Sequence, residues 1–551
     1  MHKRLLLIVL CAVFSLWSQG LDFTDPDWFV SPMGSNSASG KEDDPLDLAT
    51  ALSSSGPVRP GDLVLLKEGI YEGKFVSTVS GTANSPVVFF AEPGTRVTID
   101  GKTGNGDQAL YINGEWVQFW NLEITNTSEI RTDMVDGVRF DAPNSKLINS
   151  VIHNNLQGIG FWSPAVNSEL YGNIIFNNGV EGETRGHGHA IYTQNKTGTK
   201  QIVNNIIFFG YGFGIHAYTE NGDIQGFNFE RNVWFRTGAS VSGSSTLGNS
   251  DGLLIGGLQP VDKATLKENY SWVPVKNGRS VRFGWGSSVV NEFIELRDNY
   301  FVGNAVTQGL WKSAVVEGNH FFGDEIGPDP DEFPNNVFSN KLPGGTKTVL
   351  HPNKYDPHRI DVVVYNWDNN DYVSVNLNNM IKSGSNFTIH SVFDIWGEPV
   401  LKGKYQGNPL QLPMGTKTPP QPRGFPDAIA GDDCPGKTFE VFIVRSGGDH
   451  SSSVKNDLIA NRNNQAFSVK LIGNTILKIT NHGSPVTDGI KFTIHSLSGR
   501  VIAHHTSGSI PVRKSYEYQI PANIRNGMYI CTLKAGNMVY SRPFTLEIIN
   551  Q

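Results

Sequence analysis

Short alternating stretches of apolar and polar residues recur along the first 325 residues, each followed by Asn and a second apolar run. They read VQFWNLEI (117–124), ELYGNIIF (169–176), QIVNNIIF (201–208), NFERNVWF (228–235), TLKENYSW (265–272), LRDNYFVG (296–303) and VVEGNHFF (315–322), with KLINSVIH (146–153) carrying Ser in the Asn place. The register residues are Asn121, Ser150, Asn173, Asn205, Asn232, Asn269, Asn299 and Asn319, spaced by 20 to 37 residues. Period-two alternation predicts strands that each bury one face. A repeat of this length predicts coils that bury a continuous core by stacking, with longer gaps holding loops. Asn at a tight bend tolerates the left-handed conformation and can stack into a hydrogen-bonded ladder. The expected fold is therefore all-β: a right-handed parallel β-helix followed by two small antiparallel β-sandwich domains. A β-sandwich with frequent Asn turns is the alternative, but it does not need Asn in the same place each time.

Texture divides the chain further. Residues 1–20 read as a secretory signal, with Lys3 and Arg4 before the apolar run Leu5 to Trp17. The β-helix is assigned to 21–326, a β-sandwich to 327–447, a Ser/Gly linker to 448–454, and an immunoglobulin-like or secretion-sorting domain to 455–551. The run Gly327-Pro328-Asp329-Pro330-Asp331 marks the first boundary. No later stretch approaches the ~20 apolar residues of a membrane span, so a secreted or cell-surface protein is expected, acting as a monomer.

Composition changes this picture little. Sixty glycines and 18% charged residues suit short strands and turns. Charge is 45 − 52 = −7, and −9 without Lys3 and Arg4, which argues against a nucleic-acid partner. Beyond Cys11 in the signal, only Cys434 and Cys531 remain, enough for one disulfide that the sequence gives no geometric reason to expect.

The stretch 58–101 contains Pro60-Gly61-Asp62, Glu68-Gly69-Ile70-Tyr71, Ser85-Pro86-Val87 and Glu92-Pro93-Gly94. It resembles the opening coils of pectate lyase-like β-helix proteins, nearest the alginate lyase and chondroitinase B group of polysaccharide lyases. Helix-like 46–53 would cap the open end. The resemblance implies β-elimination on a uronate-containing glycan, a Lys base, an Arg acid and Ca²⁺ held by carboxylates. No matching Lys motif is present, and calcium stays a candidate only, with Asp133, Asp136 and Asp141 as the nearest carboxylates. The last hundred residues contain Ser496-Leu497-Ser498-Gly499-Arg500 and Asn526-Gly527-Met528-Tyr529. These resemble the C-terminal sorting domain of type IX secretion cargo, although Gln551 closes the chain where Lys or Arg is usual. That resemblance implies the secretion machinery as a partner.

A second series of strands, GVRFDA (137–142), GIGFWS (158–163), GHAIYTQN (188–195), GIHAYTEN (214–221), GLLIGG (252–257) and SVRFGW (280–285), places chemistry on one face. Aligned on their first residues, they put Arg139, His216, Leu254 and Arg282 in one outward column, Asp141, Trp162, Tyr192 and Tyr218 in the next, and Gln194 and Glu220 beyond. His189 is expected to point inward. Aromatic faces suit pyranose rings, and guanidinium forks suit carboxylates. The candidate catalytic residues are His216 as base, Tyr192 or Tyr218 as donor to the glycosidic oxygen, and His187, Glu220 and Arg185. Candidate substrate-binding residues are Arg139, Asp141, Trp162, Gln194, Lys196, Arg282 and Trp285. Gly186-His187-Gly188 matches a short motif of polygalacturonase-like hydrolases without that family's other motifs. A β-helix hydrolase and a non-catalytic glycan-binding protein are the alternatives to a lyase.

Overall fold

The computed structural model describes residues 26–102, 108–128, 135–181, 186–238, 251–273, 278–423 and 435–447, and seven C-terminal strands between 467 and 546. The signal call at 1–20, Asp133, Arg185 and Cys434 lie outside these residues.

Each coil contributes one strand to each of three parallel sheets. The first sheet has eleven strands, from Trp28–Val30 to Leu310–Glu317. The second has nine, from Phe75–Ser77 to Asn304–Thr307, and the third eleven, from Gly69–Glu72 to Val337–Ser339. Inward residues such as Phe89, Phe119, Leu147, Phe161, Ile207 and Phe229 fill a continuous core at 0–1% exposure. The short helix Leu48–Leu52, capped by Asp47, adds Leu48, Ala51 and Leu52 to that core.

The Asn register is a hydrogen-bonded ladder. The side-chain amide of Asn173 donates to Oδ1 of Asn205 at 3.0 Å, Asn205 to Asn232 at 3.0 Å, Asn232 to Asn269 at 3.1 Å and Asn269 to Asn299 at 2.9 Å. Asn299 donates to Asn319, and Asn319 to Asn336, each at 2.8 Å. Each Oδ1 also accepts the backbone N–H of the residue one coil before it, as between Asn205 and Asn232 at 3.0 Å. Two roles expected of one residue fall on neighbours. The left-handed residue precedes the ladder Asn: Asn149 (φ 52), Asn204 (φ 55), Arg231 (φ 54), Glu268 (φ 51) and Asp298 (φ 53). Asn121 (φ 59) belongs to this bend column and is exposed, and the ladder place beside it is taken by Leu122, whose N–H donates to Ser150 Oγ at 3.2 Å.

The outer faces of the coils differ. On the third sheet, Ile174, Phe176, Phe208, Phe235, Tyr270 and Trp272 pack against Val363, Tyr365, Phe393, Phe439 and Val441. Val363, Tyr365, Phe439 and Val441 belong to a five-stranded antiparallel sheet in the order Thr346–Pro352, Arg359–Asn366, Phe439–Ser446, Asn386–Ser391, Leu401–Lys404, and Phe393 to the 3-10 turn Val392–Asp394 that follows its fourth strand. The opposite face of this sheet packs with the two-stranded antiparallel sheet Tyr372–Val375 and Leu410–Pro413. Bend asparagines help dock it: Arg359 Nη1 donates to Asn149 Oδ1 at 3.2 Å, and Asn204 donates to Asp361 Oδ2 at 2.9 Å. The first sheet is partly covered by Tyr355, which meets Trp120 and Tyr171 edge-on at 5.2 and 4.9 Å.

By contacts the chain divides into two units, 1–449 and 450–551. The second contains a three-stranded antiparallel sheet (Phe467–Ile472, Ile476–Asn481, Ser515–Gln519) and a four-stranded one. Among the described residues no helix is long and apolar enough to cross a membrane.

The ladder makes a stability prediction. Asn232 is fully buried and also donates to Ile202 O at 2.7 Å. Asn232→Ala should lower unfolding free energy by about 2–4 kcal/mol, because buried amides and a carbonyl lose their partners. Denaturant melts should show this at unchanged slope, whereas Asn121→Ala should cost about 1 kcal/mol or less.

Candidate functional site

The second sheet presents its outward side chains without such a cover among the described residues. Backbone pairing places Tyr111, Arg139, Gly160, Tyr192, His216, Leu254, Arg282 and Val306 side by side, one per coil. Two residues further along each strand lie Asp141, Trp162, Gln194 and Tyr218. This corrects the sequence register at one strand. Ile191 pairs with Ile215, so Tyr192 stands beside His216, not Tyr218. The cause is the hairpin before it, in which Val180–Glu181 pairs antiparallel with Gly186–His187, followed by Gly188 at φ 75. Gly188 and His189 are consumed in the loop, and alignment on Gly188 is off by two.

The correction tightens the cluster. His216 stacks between Phe213 (4.4 Å, 5°) and Tyr218 (4.9 Å, 7°) and lies 5.1 Å from Tyr192. His189, expected inward, joins this outer cluster 4.4 Å from His216, and its Nδ1 accepts the Phe213 N–H at 3.0 Å. That bond places the proton of a neutral His189 on Nε2. Trp162 meets Tyr192 edge-on at 5.1 Å, and Trp285 meets Tyr218 edge-on at 5.6 Å. An unbroken run of rings thus crosses the coils from Trp162 to Trp285. Burial raises the Tyr192 hydroxyl above its ordinary value, and burial with the charge of Glu220 does the same for Tyr218. Both phenols are therefore proton donors near neutral pH, not bases.

The arginines are less available than expected. Arg282 is 6% exposed; its Nη2 donates to Asp251 Oδ1 at 3.1 Å, and its Nε forms an ion-pair contact with Oδ2 at 2.8 Å. Arg139 donates from Nε to Asp141 Oδ2 at 2.8 Å and lies 5.5 and 5.7 Å over Tyr111 and Trp162. Gln194 is half-buried, with its amide 3.4 Å from Tyr218 O. Lys196 and Glu220 are exposed on the turns beyond their strands, and His187 is half-buried in the hairpin. The glycines around His187 have a packing cause: a Cβ at Gly186 would lie 1.8 Å from Tyr211 O, and one at Gly188 2.1 Å from Leu156 O.

Lys200 escaped the sequence reading, and Asp136 entered it only as a carboxylate for a candidate calcium. Lys200 is wholly buried inside the coils, where Nζ donates to the carbonyls of Phe161, Trp162 and Gln194 at 3.0, 2.7 and 2.6 Å. It ties the strand ends that carry Trp162 and Gln194. Burial pushes its ammonium well below the ordinary lysine range. Its place at an inward position of a strand was readable by parity; its partners, brought together only by folding, were not. Asp136 is buried beneath Trp162, whose Nε1 donates to Oδ2 at 3.0 Å, and Gln157 bonds Oδ1. Burial pushes its carboxyl up to about 6 against these bonds and the nearby Arg139 charge.

Asp136 and Asp141 do not fit a calcium cage. Three of their oxygens accept from Gln157, Trp162, Tyr111 and Arg139, a donor set that leaves little for a cation requiring six to eight oxygens. Among the described residues no group of three His, Cys, Asp or Glu is arranged to hold a metal.

Residues 28–280 match the family model described as a Pel9A-like, right-handed β-helix region. Pectate lyase L of Dickeya chrysanthemi is 24% identical over 323 residues, covering 54% of this chain and 70% of that protein. Pectate lyase L of Thermoclostridium stercorarium is 37% identical over 100 residues, which is 17% of this chain and 7% of that protein. The solved structure of pectate lyase Pel9A aligns with a TM-score of 0.35 at 18% identity, covering 53% of this chain and 78% of that one.

Asp136 offers a test by pH. Its raised folded-state value means that its protonated form stabilises the fold at low pH, and that this contribution is lost as pH rises from about 4 through about 6. Asp136→Asn keeps the shape and cannot ionise. In melts from pH 4 to 7, the variant should gain up to about 3 kcal/mol relative to the parent across that window and then level off. A pH-independent difference would contradict the buried, proton-binding carboxyl.

Proposed function

We propose that this protein is a secreted polysaccharide lyase that cleaves uronate-containing glycans by β-elimination on the outer face of the second sheet. The observation that carries the reading is the cluster of Tyr192, His216 and Tyr218 on adjoining coils, within an aromatic run long enough for several sugars. The match to a Pel9A-like β-helix region and the pectate lyase relatives support the reaction class.

In this reading His216 removes the proton beside the uronate carboxylate, since an imidazole is a base near neutral pH. The electron pair left on that carbon forms the new double bond as the bond from the next carbon to the glycosidic oxygen breaks. That oxygen takes a proton from the hydroxyl of Tyr192 or Tyr218, which burial keeps protonated. Charge building on the uronate carboxylate is met by Arg139, whose attachment to Asp141 orients it toward Trp162. The hydrolase alternative has less support, because packing accounts for Gly186 and Gly188 around His187.

The mature protein should be incubated with pectins, alginates and sulfated glycans while ultraviolet absorbance of unsaturated uronate and reducing ends are followed together. Both signals should rise. Reducing ends alone would make the protein a hydrolase, and binding with neither signal would make it a glycan-binding protein. His216→Ala should lower kcat by about 10²–10⁴ with an unchanged melt, and retained activity would remove His216 from the site.

We read export as the task of the chain's two ends, through the signal at 1–20 and sorting or surface display by 455–551. Mass spectrometry of exported protein should find a mature start near residue 21, and a start at Met1 would count against the signal.

A further inference from the structure

At the C-terminal end of this face an open cavity of about 650 Å³ is lined by Arg282, Trp285, Ser287, Thr307 and Gln308, with two glycines between them. We infer that this cavity is a subsite for one acidic sugar of the glycan chain, its ring lying on Trp285 and its carboxylate facing Arg282. The inference rests on reading the face as a polysaccharide site and adds where, and by what charge, the chain is gripped.

Charge is the first reason. Asp251 is fully buried and is shared by Arg279 and Arg282, one carboxylate between two guanidiniums. The trio keeps one net positive charge, and Arg282 brings it to the cavity wall. An unbalanced charge in such surroundings attracts an anion more strongly than one in open water. Asp251 also fixes the guanidinium plane, so little freedom is lost on binding.

Shape is the second. The Arg282 guanidinium lies 4.8 Å over the Trp285 ring, so cation and aromatic surface adjoin. Gln308 Oε1 accepts from Arg282 Nη1 at 3.4 Å, and the hydroxyls of Ser287 and Thr307 share the wall. An apolar plate beside one cation and several small polar groups suits a pyranose with a carboxylate at its edge.

Continuity is the third. Arg282 is two coils beyond His216 through Leu254, or about 10 Å at the usual strand spacing. Tyr218 and Trp285 are in edge contact, so a chain held at Trp285 extends over His216 without leaving the aromatic run.

The test is binding of a homogeneous oligogalacturonate and an oligoalginate to the full-length protein at two salt concentrations, with carboxyl-reduced forms of each as neutral controls. Calorimetry should find at least one acidic oligomer bound about tenfold or more tighter than its reduced form, with a preference that shrinks as salt rises. Trp285→Ala, at a half-exposed position, should weaken that oligomer about tenfold with an unchanged melt. Trp285→Phe should recover most of the loss. Equal affinity of parent and Trp285→Ala, equal affinity for acidic and reduced oligomers, or no binding of either acidic oligomer would overturn the subsite. Binding with these dependences but no glycan cleavage would leave the subsite standing and remove the lyase reading. Cleavage that ignores Trp285 would do the reverse.

Discussion

A buried amide must find partners, and in this protein its partners are the same amide one coil away. From Asn173 to Asn336 each side chain donates to the next and accepts the backbone N–H of the one before. The ladder holds successive coils in one register. Everything on the outer faces inherits that register, because a slip of one residue would turn each outward side chain into the core. The proximity of Tyr192 and His216 is thus a consequence of amides on the other side of the coil.

The ladder was legible because its chemistry leaves a sequence trace: a buried position that demands Asn repeats as Asn. Asn121 was misassigned because Asn also favours the neighbouring left-handed bend, and only the folded coil separates the two uses. The inward faces were legible for a similar reason, since alternation carries them. The site was legible only in part. Tyr192, His216, Tyr218 and Trp162 were found by parity, yet Tyr192 was set beside Tyr218 and not beside His216, because a loop consumed two residues that resembled strand. Lys200 was missed, and Asp136 was named only as a carboxylate for a candidate calcium, because their meaning lies in partners distant along the chain, such as the carbonyls of Phe161 and Gln194 around one ammonium. The arginines were overvalued: parity gives direction, not whether an acid such as Asp251 has already claimed the guanidinium.

The outer faces also divide the work. From Ile174 onward the third sheet is largely apolar outward and is covered by the antiparallel sheet of 346–446. The first is partly closed by Tyr355. The second keeps half-buried aromatic and ionisable groups in contact with one another, supported from within by Lys200. This arrangement leaves flat apolar rings within reach of solvent and spares one side from the general demand for burial.

The left-handed residue at each bend has a further consequence. Its backbone form is demanded by the corner, and its side chain belongs to neither core nor ladder, so the type differs from coil to coil: asparagine at 149 and 204, arginine at 231, glutamate at 268, aspartate at 298. At 149 and 204 these side chains hold the neighbouring sheet, and at 231 and 268 they pair with each other. The corner therefore behaves as a rail along the spiral, a line of attachment points that can hold a neighbouring module without drawing on the stack beneath.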